Sequence, residues 1–261
     1  MELIITTSLQ QYFEADKDLF DQVMALRGEV FRELEGRRTQ RITLGNQHYF
    51  LKQHFGVGWK EIFKNLTQLR VPILGAKNEL VALELLKKLN IPSLQIVAFG
   101  QRGSNPASLK SFLLTEELTD VVSLEDFCQH WKDLAPNITL KHNLIRKVAQ
   151  IARTLHQNGI NHRDFYICHF LLCLKSLPQL KLYLIDLHRA QIRSQTPKRW
   201  VIKDLAGLYF SSKDIGLTSR DLLRFIREYR KQSLRSLLKT ENTFWKQVKS
   251  RGDRLYQNHQ N

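Results

Sequence analysis

Short segments rich in β-branched and aromatic residues dominate the first 118 residues of the chain. They alternate apolar with polar positions, as expected for half-buried strands, and the dipeptide Gly45-Asn46 provides a turn between two of them. The pattern predicts strands at Val30 to Leu34, Arg41 to Leu44, Gln47 to Lys52, Leu94 to Phe99 and Ser111 to Leu114.

Two segments in the same part of the chain have helical spacing instead. From Gly58 to Leu69, large apolar residues recur every three or four positions. From Asn78 to Leu89, leucines alternate with charged residues, and Asn90-Ile91-Pro92 ends the segment. We therefore predict two helices among these strands.

After residue 118 the pattern becomes mainly helical. An apolar face of Leu144, Ile145, Val148, Ile151, Ala152 and Leu155 predicts an amphipathic helix that Asn158-Gly159 closes. Further helices are predicted beyond Trp200, one of them opened by a capping box at Thr218. The chain is thus expected to be an α+β protein, with a strand-rich part at 1–118 and a helix-rich part at 119–261.

Charge adds a constraint on partners. Forty Lys and Arg against 25 Asp and Glu give a formal net charge of +15. Such an excess attracts nucleic acid, an anionic membrane or a phosphorylated substrate. The sequence contains no recognised nucleic-acid module and no interleaving of basic with aromatic residues, so we expect no nucleic-acid binding.

The cysteines and the apolar segments indicate the compartment. Cys128, Cys168 and Cys173 are too few and too scattered for a disulfide framework and fit a reducing cytosol. No apolar run approaches the roughly 18 residues that cross a bilayer. We find no signal-peptide pattern at the N-terminus and expect a cytoplasmic protein.

Two carboxylates carry the strongest chemical signal. Asp164 ends the tripeptide His162-Arg163-Asp164 after the amphipathic helix, and Asp186 ends an apolar strand about 20 residues later. Protein-kinase-like phosphotransferases use one Asp to orient and deprotonate the acceptor hydroxyl and another to hold the metal on ATP. We therefore predict a two-lobed protein-kinase-like fold, with Asp164 catalytic and Asp186 binding Mg²⁺ and ATP.

Three more residues fit the remaining parts of such a site. Lys52, at the end of a Tyr-Phe-Leu strand, suits the lysine that contacts the nucleotide phosphates. Its expected helix partner is Glu79, with Glu84 second. His169 follows Asp164 by five residues, where protein kinases have a metal-binding Asn, so it is a candidate metal or nucleotide ligand. His162 is expected to hold the loop.

The phosphate-covering loop departs from known patterns. The sequence has neither Gly-x-Gly-x-x-Gly nor the P-loop motif. Gly36 is the one glycine in the first predicted turn, next to Arg37-Arg38. Those arginines could contact phosphates or could simply be solvated.

Several longer motifs together resemble one family, the lipopolysaccharide core heptose(I) kinases. The similarity extends over nearly the whole chain and is more specific than His-Arg-Asp alone. It rests on residues 28–35, 49–52, 72–76, 161–164, 166–172, 185–191 and 207–212.

This resemblance implies a Gram-negative cytoplasmic enzyme that uses ATP and Mg²⁺ to phosphorylate the 4-hydroxyl of the first inner-core heptose. It also implies that Asp164 is catalytic and that His at position 169 belongs to the family pattern. Nascent lipopolysaccharide carries lipid A and the carboxylates of the acid sugar Kdo. We therefore expect the basic chain to reach this anionic substrate at the inner-membrane surface.

Alternatives remain open from the residues alone. The two carboxylates do not separate a heptose kinase from a kinase for Kdo, for a second heptose or for a protein side chain. A catalytically inactive kinase-like binding module is a further alternative. The helix with Lys60 and Lys64, followed by Arg70, could face the acceptor or a lipid surface, or could be a packing insert.

Overall fold

The computed structural model describes residues 1–34, 36–67, 74–177 and 179–260, with residues 61, 65 and 66 described by their backbone alone. Residue contacts divide the chain into two compact units. The first is Met1–Leu85 with Leu94–Leu118, and the second is Leu86–Ser93 with Thr119–Asn261. The division into domains at 1–118 and 119–261 stays a prediction.

The short segment 86–93 belongs to the second unit because it is hydrogen-bonded there. The N–H of Leu184 donates to the carbonyl of Pro92 over 2.9 Å, and the Ser93 hydroxyl donates to the carbonyl of Leu184. The sequence pattern, which places residues 86–93 in the strand-rich part, does not contain this long-range pairing.

Within the described residues, the first unit contains one antiparallel sheet of six strands in the order β1-β5-β6-β4-β3-β2. The strands are β1 (Glu2–Ile5), β2 (Glu29–Leu34), β3 (Arg37–Leu44), β4 (Gln47–His54), β5 (Ile96–Arg102) and β6 (Lys110–Glu116). All five predicted strands are present, and β1 is an addition that the sequence analysis did not predict. In β4, Lys52 lies opposite Thr39 of β3 and Leu113 of β6.

Four helices accompany this sheet among the described residues: α1 (Thr7–Gln10), α2 (Leu19–Ala25), α3 (Gly58–Thr67) and α4 (Lys77–Lys88). The two predicted helices correspond to α3 and α4, and the last two residues predicted for α3, 68 and 69, lie outside the described residues. The last three residues of α4 belong to the second unit.

A fully buried cluster fixes β4 between its neighbours. Apolar side chains from α1, α2 and strands β3 to β6 pack together, and removing about 25 cal/mol per Å² of apolar surface from water stabilises them. The buried members include Leu9, Phe20, Val23, Ile42, Tyr49, Leu51, Val97, Phe112 and Leu114. This packing holds the backbone that carries Lys52.

The second unit consists of helices and short strands. Its helices are α5 (Leu124–Cys128), α6 (Ile138–Gln157), α7 (Lys198–Ser211), α8 (Ser219–Arg230), α9 (Leu234–Thr240) and α10 (Asn242–Gln260). Its strands are β7 (Val121–Ser123), β8 (Ile160–Asn161), β9 (Phe170–Cys173), β10 (Leu182–Leu184) and β11 (Gln191–Ile192). Strand β9 pairs with β7 and β10, and β8 pairs with β11.

Two predictions for this unit are confirmed. The expected apolar face of α6 is buried from Leu144 to Leu155. The hydroxyl of Thr218 accepts from the N–H of Asp221, and the Asp221 carboxylate accepts from the N–H of Thr218, which is the capping box that starts α8. No helix in the described ranges is both long and apolar enough to span a membrane.

Candidate active site

The loop that carries Asp164 begins where α6 ends. Gly159 adopts a φ of +75°, and a Cβ there would lie 1.7 Å from the carbonyl oxygen of Arg193. Only glycine combines this conformation with such a close approach. The chain then forms β8, which pairs with β11 through Asn161 and Gln191, and enters the loop at His162.

Asp204, on the buried face of α7, holds this loop. One carboxylate oxygen accepts from the N–H of His162 over 2.7 Å, and the other accepts from the N–H of Arg163 over 2.9 Å. Arg163 has a φ of +75°, a left-handed conformation that costs energy for a side-chain-bearing residue. The buried carboxylate therefore stabilises the backbone that presents the next residue, Asp164.

Among the described residues, Arg189 pairs with the carboxylate of Asp164. Its Oδ1 accepts from Nη1 of Arg189 over 2.8 Å, and the Asp164 side chain is only 15% exposed. A paired, largely buried carboxylate has few rotamers available, and positioning is what phosphoryl transfer most requires of such a group.

His162 connects this loop to the strand that leads to Asp186. Its Nε2–H donates to the carbonyl of Ile185 over 2.9 Å. Burial lowers the pKa of His162, so the ring is neutral at physiological pH. Because the carbonyl can only accept, the proton lies on Nε2. The residue holds the loop, as expected from the sequence.

Asp186 adopts a left-handed conformation, with a φ of 62°. Its Oδ1 lies 2.5 Å from Nδ1 of His188, and its Oδ2 lies 3.5 Å from Nε2 of His169. No sequence pattern points to His188, because its contact depends on the left-handed turn of the backbone at Asp186.

His169 contacts both halves of the site. Its Nδ1 lies 2.6 Å from the carbonyl of Asp164, which can only accept, so Nδ1 carries a proton. The other ring nitrogen, Nε2, faces the carboxylate of Asp186. This pair suits one cation, but no group of three or more His, Cys, Asp or Glu among the described residues could hold a metal by itself.

Lys52 and Glu79 form an ion pair in the first unit. Nζ of Lys52 lies 2.6 Å from Oε1 of Glu79, whose side chain is only 2% exposed. Glu79 occupies the first turn of α4, whereas Glu84 on the same helix is exposed. The structure thus brings together the preferred pair, and its role toward a nucleotide stays a prediction.

Comparison with known proteins now adds a family. Residues 21–229 match the model of the lipopolysaccharide kinase (Kdo/WaaP) family. The chain belongs to this family. Its members are kinases, so the chain is an ATP-dependent kinase, as predicted.

Relatives and a solved structure agree with this assignment. The chain is 48% identical over 242 residues to the lipopolysaccharide core heptose(I) kinase WaaP of Escherichia coli, covering 92% of this chain and 91% of the relative. It is 45% identical over 263 residues to WaaP of Pseudomonas aeruginosa, covering 100% and 98%. A structure of WaaP in complex with acyl carrier protein matches with a TM-score of 0.84 and 42% identity, covering 98% of this chain and all of that one. The predicted kinase-like α+β fold is confirmed.

Gly36 lies in the turn between β2 and β3, next to Arg37-Arg38, and a role of this turn toward phosphates stays a prediction. Gly36 has a φ of +74°, and a Cβ there would lie 2.2 Å from the carbonyl oxygen of Gly56. Arg38 contacts Glu33 across the hairpin, with Nη2 2.5 Å from Oε1. Arg38 is thus held by a carboxylate, and Glu35, which precedes Gly36, lies outside the described residues.

The second unit also contains an apolar cavity of about 410 Å³. Its walls come from α5, α6, α7, α8 and α10, and include Leu144, Val148, Leu208, Phe225 and Trp245. Cys128 also lines it, and burial raises the pKa of this thiol to about 12, which keeps it neutral. The volume lies within the range of about 300–1,000 Å³ that is usual for ligand pockets.

Asp204 was missed by the sequence analysis, although a carboxylate within the apolar run Val201 to Leu208 is a signal of a buried structural role. We expect Asp204→Asn to lower kcat about 100-fold, because one loop N–H loses its acceptor and Asp164 moves. The same change should cost about 1–3 kcal/mol of unfolding free energy. Steady-state kinetics and denaturant unfolding measure the two effects.

Asp221→Asn provides the control for Asp204→Asn. Asp221 is also buried, with Nζ of Lys141 2.7 Å from its carboxylate, but it caps α8 and does not contact the loop. The Asp221→Asn variant should have a lower unfolding free energy and an unchanged kcat. Equal loss of kcat in both folded variants would show that loop anchoring is not the function of Asp204.

Proposed function

We propose that the protein transfers the γ-phosphoryl group of ATP to the 4-hydroxyl of the first heptose of the lipopolysaccharide inner core. The observation that carries this proposal is the similarity, over nearly the full chain, to heptose(I) kinases of two organisms. The geometry around Asp164 supports the same reaction type, because a charge-paired carboxylate sits on a loop that Asp204 fixes.

Asp164 accepts the proton of the heptose hydroxyl as its oxygen attacks the γ-phosphorus. The bond from that phosphorus to the β–γ bridging oxygen breaks, and ADP leaves with the electron pair. Arg189 keeps the Asp164 side chain in place. Lys52 contacts the α- and β-phosphates, and Glu79 orients its ammonium group.

A magnesium ion fits Asp186 and His169. Mg²⁺ usually binds proteins through one or two carboxylates and takes its other ligands from phosphates and water, which matches this sparse donor set. When bound, it supplies positive charge to the phosphate oxygens of ATP. Asp186 would hold it by carboxylate, and the Nε2 lone pair of His169 would bind the ion or its water.

Phosphorylation of a defined acceptor tests the function. With ATP, the wild-type protein should add one phosphate to heptose-containing lipopolysaccharide that lacks core phosphate, and mass spectrometry should locate it on the first heptose. Asp164→Ala should lower the rate at least about 100-fold, since general-base catalysis is lost.

The exposed Asp133 offers a charge-matched control, and Asp133→Ala should leave the rate unchanged. If the added phosphate is found on Kdo or on the second heptose, that sugar is the acceptor and the proposed acceptor is wrong. Near-normal turnover by folded Asp164→Ala would contradict the catalytic assignment.

A magnesium titration tests Asp186 separately. Asp186→Asn keeps the shape of the side chain but removes the charge, so the apparent affinity for Mg²⁺ should fall at least about tenfold. Excess Mg²⁺ should restore part of the activity, which it cannot do for Asp164→Ala. An unchanged Mg²⁺ dependence would rule out direct ligation.

We further propose peripheral binding to the cytoplasmic face of the inner membrane. On α3, Trp59 and Phe63 are 51% and 60% exposed, and their ring centroids lie 5.9 Å apart. Lys60 and Lys64 lie on the same helix, while Arg70, part of the same predicted surface, lies outside the described residues. Exposed aromatic residues beside lysines are typical of helices that lie in a membrane interface.

Sedimentation with anionic lipid vesicles tests this proposal. Binding should weaken as salt rises, because charges beyond about 8 Å are screened at physiological ionic strength. Replacing Trp59 and Phe63 by Ser should weaken it as well. The control replaces Leu134 and Ile138, which are 74% and 64% exposed, by Ser. If the two double variants bind the vesicles equally well, α3 is not the membrane-binding helix.

An acyl carrier protein is a proposed protein partner. The matching WaaP structure contains one, and the apolar cavity of the second unit could take an acyl chain. Affinity should then rise with chain length by up to about fourfold per CH₂, until the cavity is full. Calorimetric titration with carrier protein bearing chains of increasing length measures this. Equal affinity for acylated and unacylated carrier would show that the cavity is not used.

A further inference from the structure

Trp200, in the first turn of α7, lies at the centre of a group of cations. Four of the described basic side chains approach its ring within 6 Å, a distance at which cations interact with an aromatic face. From the ring centroid, the cationic centres of Arg163, Arg193, Arg199 and Lys203 are 5.8, 5.6, 5.4 and 4.1 Å away. These five residues are called the Trp200 cluster below.

The segment that supplies most of the cluster is rich in basic residues. Residues 187–203 contain five Lys and Arg and no Asp or Glu. The two guanidinium hydrogen bonds of Arg193 go to the neutral amide oxygens of Asn161 and Gln191, each over 2.6 Å. Both carboxylate oxygens of the nearby Asp204 accept from the loop backbone. The four cations gather around one aromatic ring, and an anion bound among them would stabilise this arrangement electrostatically.

The cluster also has groups that can reach a ligand. Arg199 and Lys203 are exposed, so they can contact a molecule in solution. Guanidinium groups bind carboxylates and phosphates through paired hydrogen bonds. The indole Nε1–H of Trp200 is buried and has no acceptor within the described part of the chain, which adds a further donor to the cluster.

Its place in the second unit connects the cluster to the reaction. Arg163 directly precedes Asp164, and Arg193 is hydrogen-bonded to Asn161, three residues before Asp164. An anion held here would therefore lie beside the loop that bears the proposed base. The phosphates of ATP are assigned to Lys52 and to Mg²⁺ at Asp186. A separate anion site next to Asp164 therefore suits an anionic acceptor better than ATP.

We propose that the Trp200 cluster binds an oxyanion of the acceptor saccharide, chiefly a sugar carboxylate, and so positions the neighbouring hydroxyl toward Asp164. This inference rests on the proposed heptose kinase function. The exposed Arg199 and Lys203 contact the anion, and Trp200 is a positioning residue that keeps the cations together.

Equilibrium binding tests the cluster without relying on turnover. The probe is the deacylated Kdo–heptose saccharide, titrated calorimetrically into wild-type protein and into the Arg199→Ala/Lys203→Ala variant. Affinity should fall about tenfold or more, since hydrogen bonds between charged groups are lost. In kinetics, the KM for the acceptor should rise while the KM for ATP stays unchanged. Trp200→Leu should give a smaller change of the same kind.

The source of the anion is identified with modified saccharides. If a carboxylate is bound, reducing the carboxyl groups to alcohols should weaken wild-type binding and have no further effect in the double variant. If removing the phosphates weakens wild-type binding instead and has no further effect in the double variant, the bound group is an acceptor phosphate. That result would still support an oxyanion site at the Trp200 cluster.

Arg146, an exposed arginine on α6, provides the control for general charge effects. Arg146→Ala should bind the saccharide like wild type. Three results would overturn the proposal: unchanged affinity in the double variant, an equal loss in Arg146→Ala, or a rise confined to the KM for ATP. Wild-type binding without phosphorylation of heptose would instead contradict the proposed function and leave the binding site in place.

Discussion

A single buried carboxylate organises the reactive part of this molecule. Asp204 lies 1% exposed on α7 and accepts from two consecutive backbone N–H groups, those of His162 and Arg163. An ionised group in the interior is costly unless hydrogen bonds satisfy it, and an unsatisfied backbone N–H is costly as well. The carboxylate and the two N–H groups therefore stabilise each other. The left-handed conformation of Arg163 lets both N–H groups reach the carboxylate.

Other contacts extend this arrangement. Nε2 of His156 lies 3.3 Å from the Asp204 carboxylate, and its Nδ1 lies 2.8 Å from the hydroxyl of Tyr229 on α8. On the opposite side, His162 donates to the backbone beside Asp186. The position of both candidate reactive carboxylates thus derives from one polar network inside the helical unit.

Features that depend on residues close together in the chain could be predicted from the sequence. Hydrophobic periodicity predicted the change from a strand-rich to a helix-rich part near residue 118. The spacing of Asp164 and Asp186 predicted the reaction class. Glu79 is the first candidate partner of Lys52 from the sequence, and the two side chains form an ion pair in the first unit. Asp204 is 42 and 41 residues from His162 and Arg163, whose N–H groups it binds, so no local pattern pairs them. The Trp200 cluster joins residues from the loop, from the segment after β11 and from α7, and the same limit applies.

The junction at Gly159 has a consequence for how the chain can vary in length. The carbonyl of Arg193 presses against this residue, so the end of α6 is pinned in both position and rotation. One residue added within α6 would turn everything before it by about 100° and send its apolar face toward water. Insertions and deletions among relatives should therefore avoid α6 and collect in connections such as residues 133–136, which lie outside the helices.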